Sequence, residues 1–202
     1  THASISVNVI DLETNISITS NNPKLRLATA STAKLFSSAT ALEILGENFR
    51  AQTRMYYDGK IDSAGVLHGN IWIRGGGDPS IGSKYFPKEK PIFQDWVNAI
   101  HDLGIKKING AVIGDASEFD YHGAPDGWSW SDLGNYYGAG ASGLTIHDNL
   151  IELHFKTSSK VGGASKITKI EPEVEGLEIK NYVLSSQKRG DNSYIYGAPY
   201  SM

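Results

Sequence analysis

The stretch from Ala28 to Gly46, Ala-Thr-Ala-Ser-Thr-Ala-Lys-Leu-Phe-Ser-Ser-Ala-Thr-Ala-Leu-Glu-Ile-Leu-Gly, predicts the best-defined helix of the chain. Small residues lead into it, a Ser or Thr stands where an N-cap is favoured, and Gly46 occupies a position where helices often end. Apolar residues then recur at helical spacing, at Leu35, Phe36, Ala39, Leu42 and Leu45. The prediction of the fold starts from this helix.

Short strands are predicted on both sides of the helix. Residues 4–12 alternate apolar and polar side chains, and Ile16 and Ile18 continue the alternation after a polar turn, which indicates an antiparallel hairpin. A second amphipathic helix is predicted from Pro91 to Leu103. Residues 115–142 predict a long, aromatic, turn-rich loop. Further strands are predicted at 54–57, 67–74, 108–113, 150–155, 167–170, 177–184 and 193–196. The pattern is typical of an α+β fold.

Composition excludes several classes of function. The 202 residues are 40% hydrophobic and 20% charged, as in folded rather than disordered proteins. A net charge of −3 without a basic run argues against a nucleic-acid partner. No apolar stretch approaches the roughly 18 residues of a membrane span. The absence of cysteine excludes a disulfide framework and a thiolate nucleophile.

Ser31 and Lys34 are the sharpest candidates for chemistry. Residues i and i+3 lie on one helix face, so the lysine nitrogen can reach the serine oxygen and accept its proton once the ammonium is neutral. The helix N-terminus adds partial positive charge that favours an anion at the serine. The plainer interpretation is an N-cap serine followed by a surface lysine. Ser185 and Lys188 repeat the spacing in a polar stretch, which we interpret as chance.

Three other patterns are weaker. The stretch Gly75-Gly76-Gly77-Asp78 lacks a dinucleotide or Walker signature and indicates a tight turn rather than a phosphate site. The six histidines have no HxH or HxxxH spacing, so we expect no metal site and no cofactor. Ser142 misses the GxSxG elbow by one residue, which leaves a Ser-His-Asp hydrolase as a weaker alternative.

Four stretches, taken together, carry a resemblance to a known family. They are residues 30–46, residues 69–79 (Gly-Asn-Ile-Trp-Ile-Arg-Gly-Gly-Gly-Asp-Pro), residues 114–132 with Gly-Trp-Ser-Trp-Ser-Asp at the end, and residues 194–200 (Tyr-Ile-Tyr-Gly-Ala-Pro-Tyr). In this order, over nearly the whole chain, they resemble the penicillin-binding D-alanyl-D-alanine carboxypeptidases and endopeptidases of the penicillin-binding protein 4 type, the low-molecular-mass class C group.

The resemblance implies a domain organisation. Residues 1–50 are expected to begin a penicillin-binding catalytic domain with the β-lactamase and transpeptidase fold. Residues 51–149 are expected to form a first inserted domain of mixed helices and strands, and residues 150–202 a second, mainly β and incomplete. The family's second motif, Ser-x-Asn, and its third, Lys-Thr-Gly, are missing from their places. We therefore expect the chain to be the N-terminal portion of a longer protein, inactive by itself.

The resemblance also implies an activity. Ser31 is expected to be the nucleophile and Lys34 its general base, in a serine D,D-peptidase that forms an acyl-enzyme with peptidoglycan stem peptides. β-Lactam antibiotics are the expected covalent inhibitors. The expected location is periplasmic or otherwise extracytoplasmic, after removal of a signal peptide. Carboxypeptidase and endopeptidase activity, and the oligomeric state, stay open. The alternative is a non-catalytic peptidoglycan-binding or structural module that retains the fold.

Asp132 is the expected substrate-binding residue. It matches the family's aspartate that binds the free amino end of a diaminopimelate side chain, and a carboxylate is the natural partner of an ammonium. The plainer interpretation is a capping aspartate beside structural tryptophans, since Ser131-Asp132-Leu133-Gly134 is also turn chemistry. The neighbouring aromatic residues are expected to pack the insert, namely Trp128, Trp130, Tyr136 and Tyr137.

Overall fold

The computed structural model describes residues 3–86, 92–120, 122–188, 190 and 193–197. The chain divides into two compact units, Thr1–Arg50 and Ala51–Met202. The first unit contains a hairpin and a helix, and the second contains a helix and eight strands among the described residues. The prediction of mixed helices and strands is confirmed. Neither helix in the described ranges is long and apolar enough to cross a membrane.

The first unit begins with the predicted hairpin. Strand β1 (Val7–Ile10) pairs antiparallel with β2 (Ser17–Asn21). Asp11 organises the turn between them, because its Oδ1 accepts hydrogen bonds from the backbone amide of Thr14 at 2.7 Å and from the Thr14 hydroxyl at 2.8 Å. Asn15 adopts a φ of 57°, in the left-handed region that asparagine tolerates. Turn chemistry of this kind is legible in the sequence, and the hairpin prediction succeeds for that reason.

Helix α1 (Ala33–Leu45) follows the hairpin and ends at Gly46, as predicted. The Gly46 amide donates to the Leu42 carbonyl at 3.0 Å, and its φ of 80° suits a residue without a Cβ. The prediction of an N-capping side chain is wrong. A 3₁₀ turn (Ala30–Thr32) precedes the helix, and the Thr32 hydroxyl donates backwards to the Thr29 carbonyl instead of accepting from helix amides. Ser31 therefore lies inside a continuous helical turn, not in front of one.

The second unit is built on two three-stranded sheets and one helix. The elements are β3 (Arg54–Tyr57), β4 (Lys60–Ile61), β5 (Val66–His68), β6 (Ile71–Arg74), α2 (Ile92–Asp102), β7 (Lys107–Ile108) and β8 (Val112–Asp115). The first sheet has the order β3-β6-β8, in which β6 pairs antiparallel with β3 and parallel with β8. The second has the order β4-β5-β7, in which β5 pairs antiparallel with β4 and parallel with β7.

Helix α2 confirms the second predicted helix, although Pro91 lies outside the described residues. The predicted single strands at 67–74 and 108–113 are wrong, because each is divided between the two sheets. The division falls where two glycine backbones meet: a Cβ on Gly110 would lie 2.0 Å from the Gly69 carbonyl oxygen. The side-chain oxygen of Asn70 accepts from the Ala111 amide at 2.9 Å beside this contact. Each of the two apolar runs is continuous in sequence, but the chain passes from one sheet to the other where Gly69 and Gly110 meet.

The core of the second unit lies between these sheets and α2. Leu67, Ile71 and Ile105 are buried together, with exposures of 0%, 2% and 1%. Partly buried side chains from the surrounding elements complete the cluster, namely Met55, Ile61, Ile73, Ile100 and Ile108. Burial of apolar area at this cluster stabilises the second unit.

The end of the second unit forms one further hairpin. Strands β9 (Glu152–Lys156) and β10 (Lys166–Glu171) pair antiparallel and confirm two predicted strands. The strand predicted at 177–184 is wrong: only Leu184 makes a bridge, with Ala164. Beside the bridge, the Ser165 amide donates to the Val183 carbonyl at 3.0 Å. The Asn181 side chain adds two bonds, because it donates to the Ser165 carbonyl at 3.0 Å and accepts from the Val183 amide at 3.0 Å. Residues 193–197 form no strand either.

Candidate active site

Ser31 and Lys34 lie where the 3₁₀ turn passes into α1. The Lys34 ammonium donates a hydrogen bond to Ser31 Oγ over 3.0 Å. Both side chains are exposed on the first unit. A neutral lysine at the same distance can take the hydroxyl proton, so this geometry fits a nucleophile with its base. Sequence reasoning places the two residues together, and the structure does bring them together.

The backbone before Ser31 makes a sharp entry into the helix. Ala30 has a φ of 45°, which costs a residue with a Cβ about 1–3 kcal/mol. The Thr32 amide and hydroxyl both donate to the Thr29 carbonyl, and these bonds hold the turn closed. Ser31 thereby stands beside the N-terminus of α1, where the helix dipole stabilises negative charge.

The second SxxK pattern has a different environment. Ser185 is buried with an exposure of 7%, and its Oγ accepts from the Ser158 amide at 2.7 Å. The segment containing Ser185 and Lys188 is not helical, so the i, i+3 spacing does not place the two side chains on one face. Ser185 serves as a hydrogen-bond acceptor for a loop backbone.

The glycine-rich stretch at 75–78 forms close contacts and hydrogen bonds with the backbone of other segments. The amide of Gly75 donates to the Asp115 carbonyl at 3.0 Å, and that of Gly77 donates to the Gly143 carbonyl at 2.7 Å. A Cβ on Gly75 would lie 2.2 Å from the Gly143 oxygen, so glycine is required for this approach. These two amides are already used, which agrees with a structural turn rather than a phosphate cradle.

Asp132 closes a 3₁₀ turn (Trp130–Asp132) in the second unit and is half-buried. Its Oδ1 accepts a hydrogen bond from the Tyr137 hydroxyl at 3.2 Å. Its carbonyl accepts from the Asn135 amide at 3.0 Å. In the part of the chain that the structure describes, no backbone amide donates to the Asp132 carboxylate. The carboxylate therefore does not cap a helix, and it can accept a hydrogen bond from another group.

Aromatic rings surround this turn. Trp130 stacks on Tyr196 with a centroid distance of 6.3 Å, and Tyr196 stacks on Tyr194 at the same distance. Tyr136 and Tyr137 meet edge to face at 5.2 Å. A groove of about 1820 Å³ has Leu133, Gly138, Tyr194 and Tyr196 among its lining residues. The predicted packing role of these rings is only partial, because Trp130 and both members of the Tyr136–Tyr137 pair are more than half exposed.

One cluster of possible metal ligands is not indicated by HxH or HxxxH spacing in the sequence. Glu152, His154 and Glu171 carry oxygen and nitrogen atoms that all lie within 4.8 Å of one another, and such a set could hold a metal ion. The cluster is assembled across β9 and β10, where Glu152 faces Glu171. The sequence signal that could have indicated this cluster is the Glu-x-His pattern of Glu152 and His154, which places both side chains on one face of a strand. Both carboxylates are already paired with a lysine, Glu152 with Lys84 at 3.3 Å and Glu171 with Lys169.

Comparisons with known proteins point in one direction. Residues 1–194 match the model of the D-Ala-D-Ala carboxypeptidase 3 (S13) family. The chain is 29% identical over 159 residues to the D-alanyl-D-alanine carboxypeptidase DacB of Haemophilus influenzae, covering 78% of this chain and 31% of that protein. It is 26% identical over 144 residues to the penicillin-sensitive carboxypeptidase A of Dictyostelium discoideum, covering 66% of this chain and 26% of that protein.

A solved structure supports the same relationship. The crystal structure of penicillin-binding protein 4 (dacB) from Haemophilus influenzae superposes with a TM-score of 0.67 at 28% identity, covering 80% of this chain and 34% of that chain. Its complex with a β-lactam gives a TM-score of 0.56 at 23% identity, covering 80% and 31%, and shows the shared fold alone. The chain spans about a third of the length of these relatives.

Proposed function

The chain belongs to the D-Ala-D-Ala carboxypeptidase 3 (S13) family, and from that premise we propose that it carries the nucleophile of a serine D,D-peptidase acting on peptidoglycan stem peptides. The observation that carries the proposal is the 3.0 Å contact between Lys34 Nζ and Ser31 Oγ at the start of α1. A binding module has no need of a lysine held against a serine. The Haemophilus and Dictyostelium relatives are both named as carboxypeptidases.

The reaction proceeds by acyl transfer. Neutral Lys34 takes the Ser31 hydroxyl proton while Oγ attacks the carbonyl carbon between two D-alanine residues. The carbon–nitrogen bond breaks, the leaving amine takes a proton from the lysine, and the peptide remains as an ester on Ser31. Water then hydrolyses the ester and regenerates the serine. In a β-lactam the broken bond lies within a ring, so the leaving amine stays tethered and the ester persists as a covalent adduct.

Residues 1–50 would begin the catalytic domain, residues 51–149 would form a first inserted domain and residues 150–202 a second. The division of the chain at Arg50 and Ala51 into separate compact units supports the first boundary. The second boundary rests on the family resemblance. Because peptidoglycan lies outside the cytoplasmic membrane, the enzyme would act in the periplasm or another extracytoplasmic compartment.

Asp132 would bind a free ammonium on the third residue of the stem peptide. The residue is half-buried, and its chain neighbours Leu133 and Gly134 line a groove. No lysine or arginine among the described residues forms an ion pair with it. An ammonium in contact with such a carboxylate forms a charge-assisted hydrogen bond, which is stronger than a neutral one.

The test measures release of D-alanine from a peptide ending in D-Ala-D-Ala by the full-length protein. We expect Ser31→Ala to abolish release and Ser37→Ala to leave it intact. Ser37 is the matched control because its hydroxyl lies on the same helix and donates only to the Lys34 carbonyl, at 3.2 Å. Release that survives in folded Ser31→Ala protein overturns the assignment of the nucleophile. A folded wild-type protein that releases no D-alanine overturns the proposed activity and favours the alternative of a non-catalytic module.

A further inference from the structure

Ser31 lies inside a closed turn of four residues, from Thr29 to Thr32. The Thr32 amide donates to the Thr29 carbonyl at 3.0 Å, and this bond closes the turn. Ala30, the second residue of the turn, has a φ of 45°. A turn with a positive φ at its second residue favours glycine there, because a Cβ is strained in this conformation. The turn that holds Ser31 therefore contains a residue whose backbone preference opposes it.

Thr32 supplies a second bond that closes the same turn. Its hydroxyl donates to the Thr29 carbonyl, so this carbonyl accepts from both the amide and the side chain of one residue. An N-cap side chain acts in the opposite sense, as an acceptor for the amides that follow it. Donation backwards along the chain stabilises the turn before α1 rather than the first turn of α1.

The closed turn and the Ser31–Lys34 contact share Ser31. The Lys34 ammonium donates to Ser31 Oγ at 3.0 Å, and the Ala33 amide donates to the Ala30 carbonyl, which continues the turn into α1. If Ala30 relaxed to a negative φ, the adjoining peptide planes would rotate and Ser31 Oγ would move relative to Lys34 Nζ. A displacement of about 1 Å between reacting groups can slow a reaction about a hundredfold.

We propose that Thr32 is a positioning residue for acyl transfer: its hydroxyl holds the Thr29 carbonyl, keeps Ala30 in the left-handed conformation and thereby keeps Ser31 Oγ within reach of Lys34. The inference rests on the proposed function and concerns the same site. Thr32 acts through the backbone of the turn and takes no part in the proton transfer from Ser31 to Lys34. What it supplies is a hydroxyl donor, so serine can replace it and valine cannot.

The experiment measures acylation of the full-length protein by benzylpenicillin. The dependence of the labelling rate on penicillin concentration gives two constants, the rate constant of acylation within the complex and the dissociation constant of the noncovalent complex. We expect Thr32→Val to lower the rate constant about tenfold and to leave the dissociation constant unchanged, because a hydrogen bond in the turn is lost without a change in side-chain shape. Thr32→Ala removes the same hydroxyl and should show the same loss. Thr32→Ser should acylate at the wild-type rate.

Ser37→Ala is the matched control. The Ser37 hydroxyl also donates to the carbonyl three residues before it, that of Lys34, at 3.2 Å, but this bond lies within α1 and not in the turn that holds Ser31. We expect the wild-type rate constant in this variant. Equal slowing in Ser37→Ala and Thr32→Val would overturn the proposal, because the effect would then not depend on the turn.

A double-mutant cycle tests whether the hydroxyl acts through the strained turn. Glycine at position 30 adopts a φ of 45° without the strain of a Cβ, so the amide bond alone should keep the turn closed. In an Ala30→Gly background, we expect Thr32→Val to slow acylation by no more than about twofold. A tenfold loss that persists in this background overturns the proposal, because the hydroxyl would then act by another route.

The positioning role and the proposed function fail in different ways. If the wild-type protein is labelled on Ser31 and folded Thr32→Val is labelled at the same rate, the positioning role is overturned and the peptidase stands. The same holds if Thr32→Val and Thr32→Ala raise the dissociation constant and leave the rate constant unchanged. If the wild-type protein is not labelled at all, both are overturned.

Discussion

The two units of the chain hold their functional side chains by different means. In the first unit, none of residues 3–50 is buried, and Leu35, Phe36 and Ile44 of α1 have exposures of 73%, 72% and 75%. In the second unit, Leu67 and Ile71 are buried in a packed core. The spacing of Ser31 and Lys34 comes from one helical turn, whereas the segment that carries Asp132 also packs against a distant part of the chain, with Gly134 against Ile195. Mutations in the two units should therefore fail in different ways.

The largest effect is expected from Lys34→Ala. Loss of a general base lowers a rate by about 10²–10⁴-fold, so acylation of the full-length protein by a β-lactam should slow by that factor while the fold is retained. The measurement is the pseudo-first-order rate of adduct formation. Lys188→Ala is the matched control from the non-helical repeat of the pattern and should acylate at the wild-type rate. Equal slowing in both variants would remove Lys34 from the mechanism.

The next largest effect separates the units by stability. Leu67→Ala should lower the free energy of unfolding by about 2–5 kcal/mol, because it leaves a cavity in the core. Leu35→Ala on the exposed face of α1 should change the stability of this chain by no more than about 0.5 kcal/mol. Urea unfolding of the two variants measures both values. If the two variants lose similar amounts of unfolding free energy, the difference in burial between Leu67 and Leu35 does not determine their contributions to stability.

Gly138→Ala tests how the turn that carries Asp132, the proposed substrate-binding residue, is held in place. The added Cβ would lie 1.9 Å from the Asp132 carbonyl oxygen, so the turn must shift, at a cost of about 1–3 kcal/mol. We expect a raised KM for a D-Ala-D-Ala peptide whose third residue carries a free side-chain amine, and normal β-lactam labelling at Ser31. Gly197→Ala is the control, since its Cβ would have no neighbour within 4 Å. A loss of labelling in Gly138→Ala would mean that the two sites are not separable in this way.

The smallest effect concerns the acid stability of the second unit. Hydrogen bonds from Trp72 and Asn70 lower the pKa of Asp58 below its ordinary value of 3.8. A pKa that is lower in the folded state adds stability above the unfolded pKa, and this stability is lost as the pH falls toward the folded value. Asp58→Asn should therefore give a shallower loss of stability as the pH falls below about 5.

The comparison is made by urea unfolding across that range. Asp126→Asn is the control, because Asp126 is fully exposed and its only ion pair in the described residues is a 4.0 Å contact with His122. If the acid limb of Asp58→Asn coincides with that of the wild type and of the control, the hydrogen bonds to Asp58 do not contribute to acid stability.

Elements defined by local periodicity could be predicted from the sequence. The first hairpin, both helices, the glycines that end them and the Ser31–Lys34 contact all follow from residues within a few positions of one another. Interactions set by distant partners could not. The crossing of Gly69 and Gly110 divides two apolar runs that look continuous, and the segment predicted as a strand at 177–184 makes a single bridge, from Leu184 to Ala164.

In the candidate site, the contact that has a periodic signature in the sequence could be predicted, and the contacts without such a signature could not. Ser31 and Lys34 share a helix face, so their pairing is visible in the spacing. Tyr137 meets Asp132 across two short 3₁₀ turns that have no periodic signature. The cluster of Glu152, His154 and Glu171 needs the register of β9 and β10, which hydrophobic alternation alone does not specify.

The central claim is that Ser31 is the acylated nucleophile, and the most direct measurement is the position of a β-lactam adduct. The full-length protein is incubated with benzylpenicillin, its intact mass is recorded, and its peptides are sequenced by mass spectrometry. We predict one adduct, on the peptide containing Ser31, and none in the Ser31→Ala variant. An adduct on Ser185 or on another residue, or a folded protein that acquires none, would contradict it.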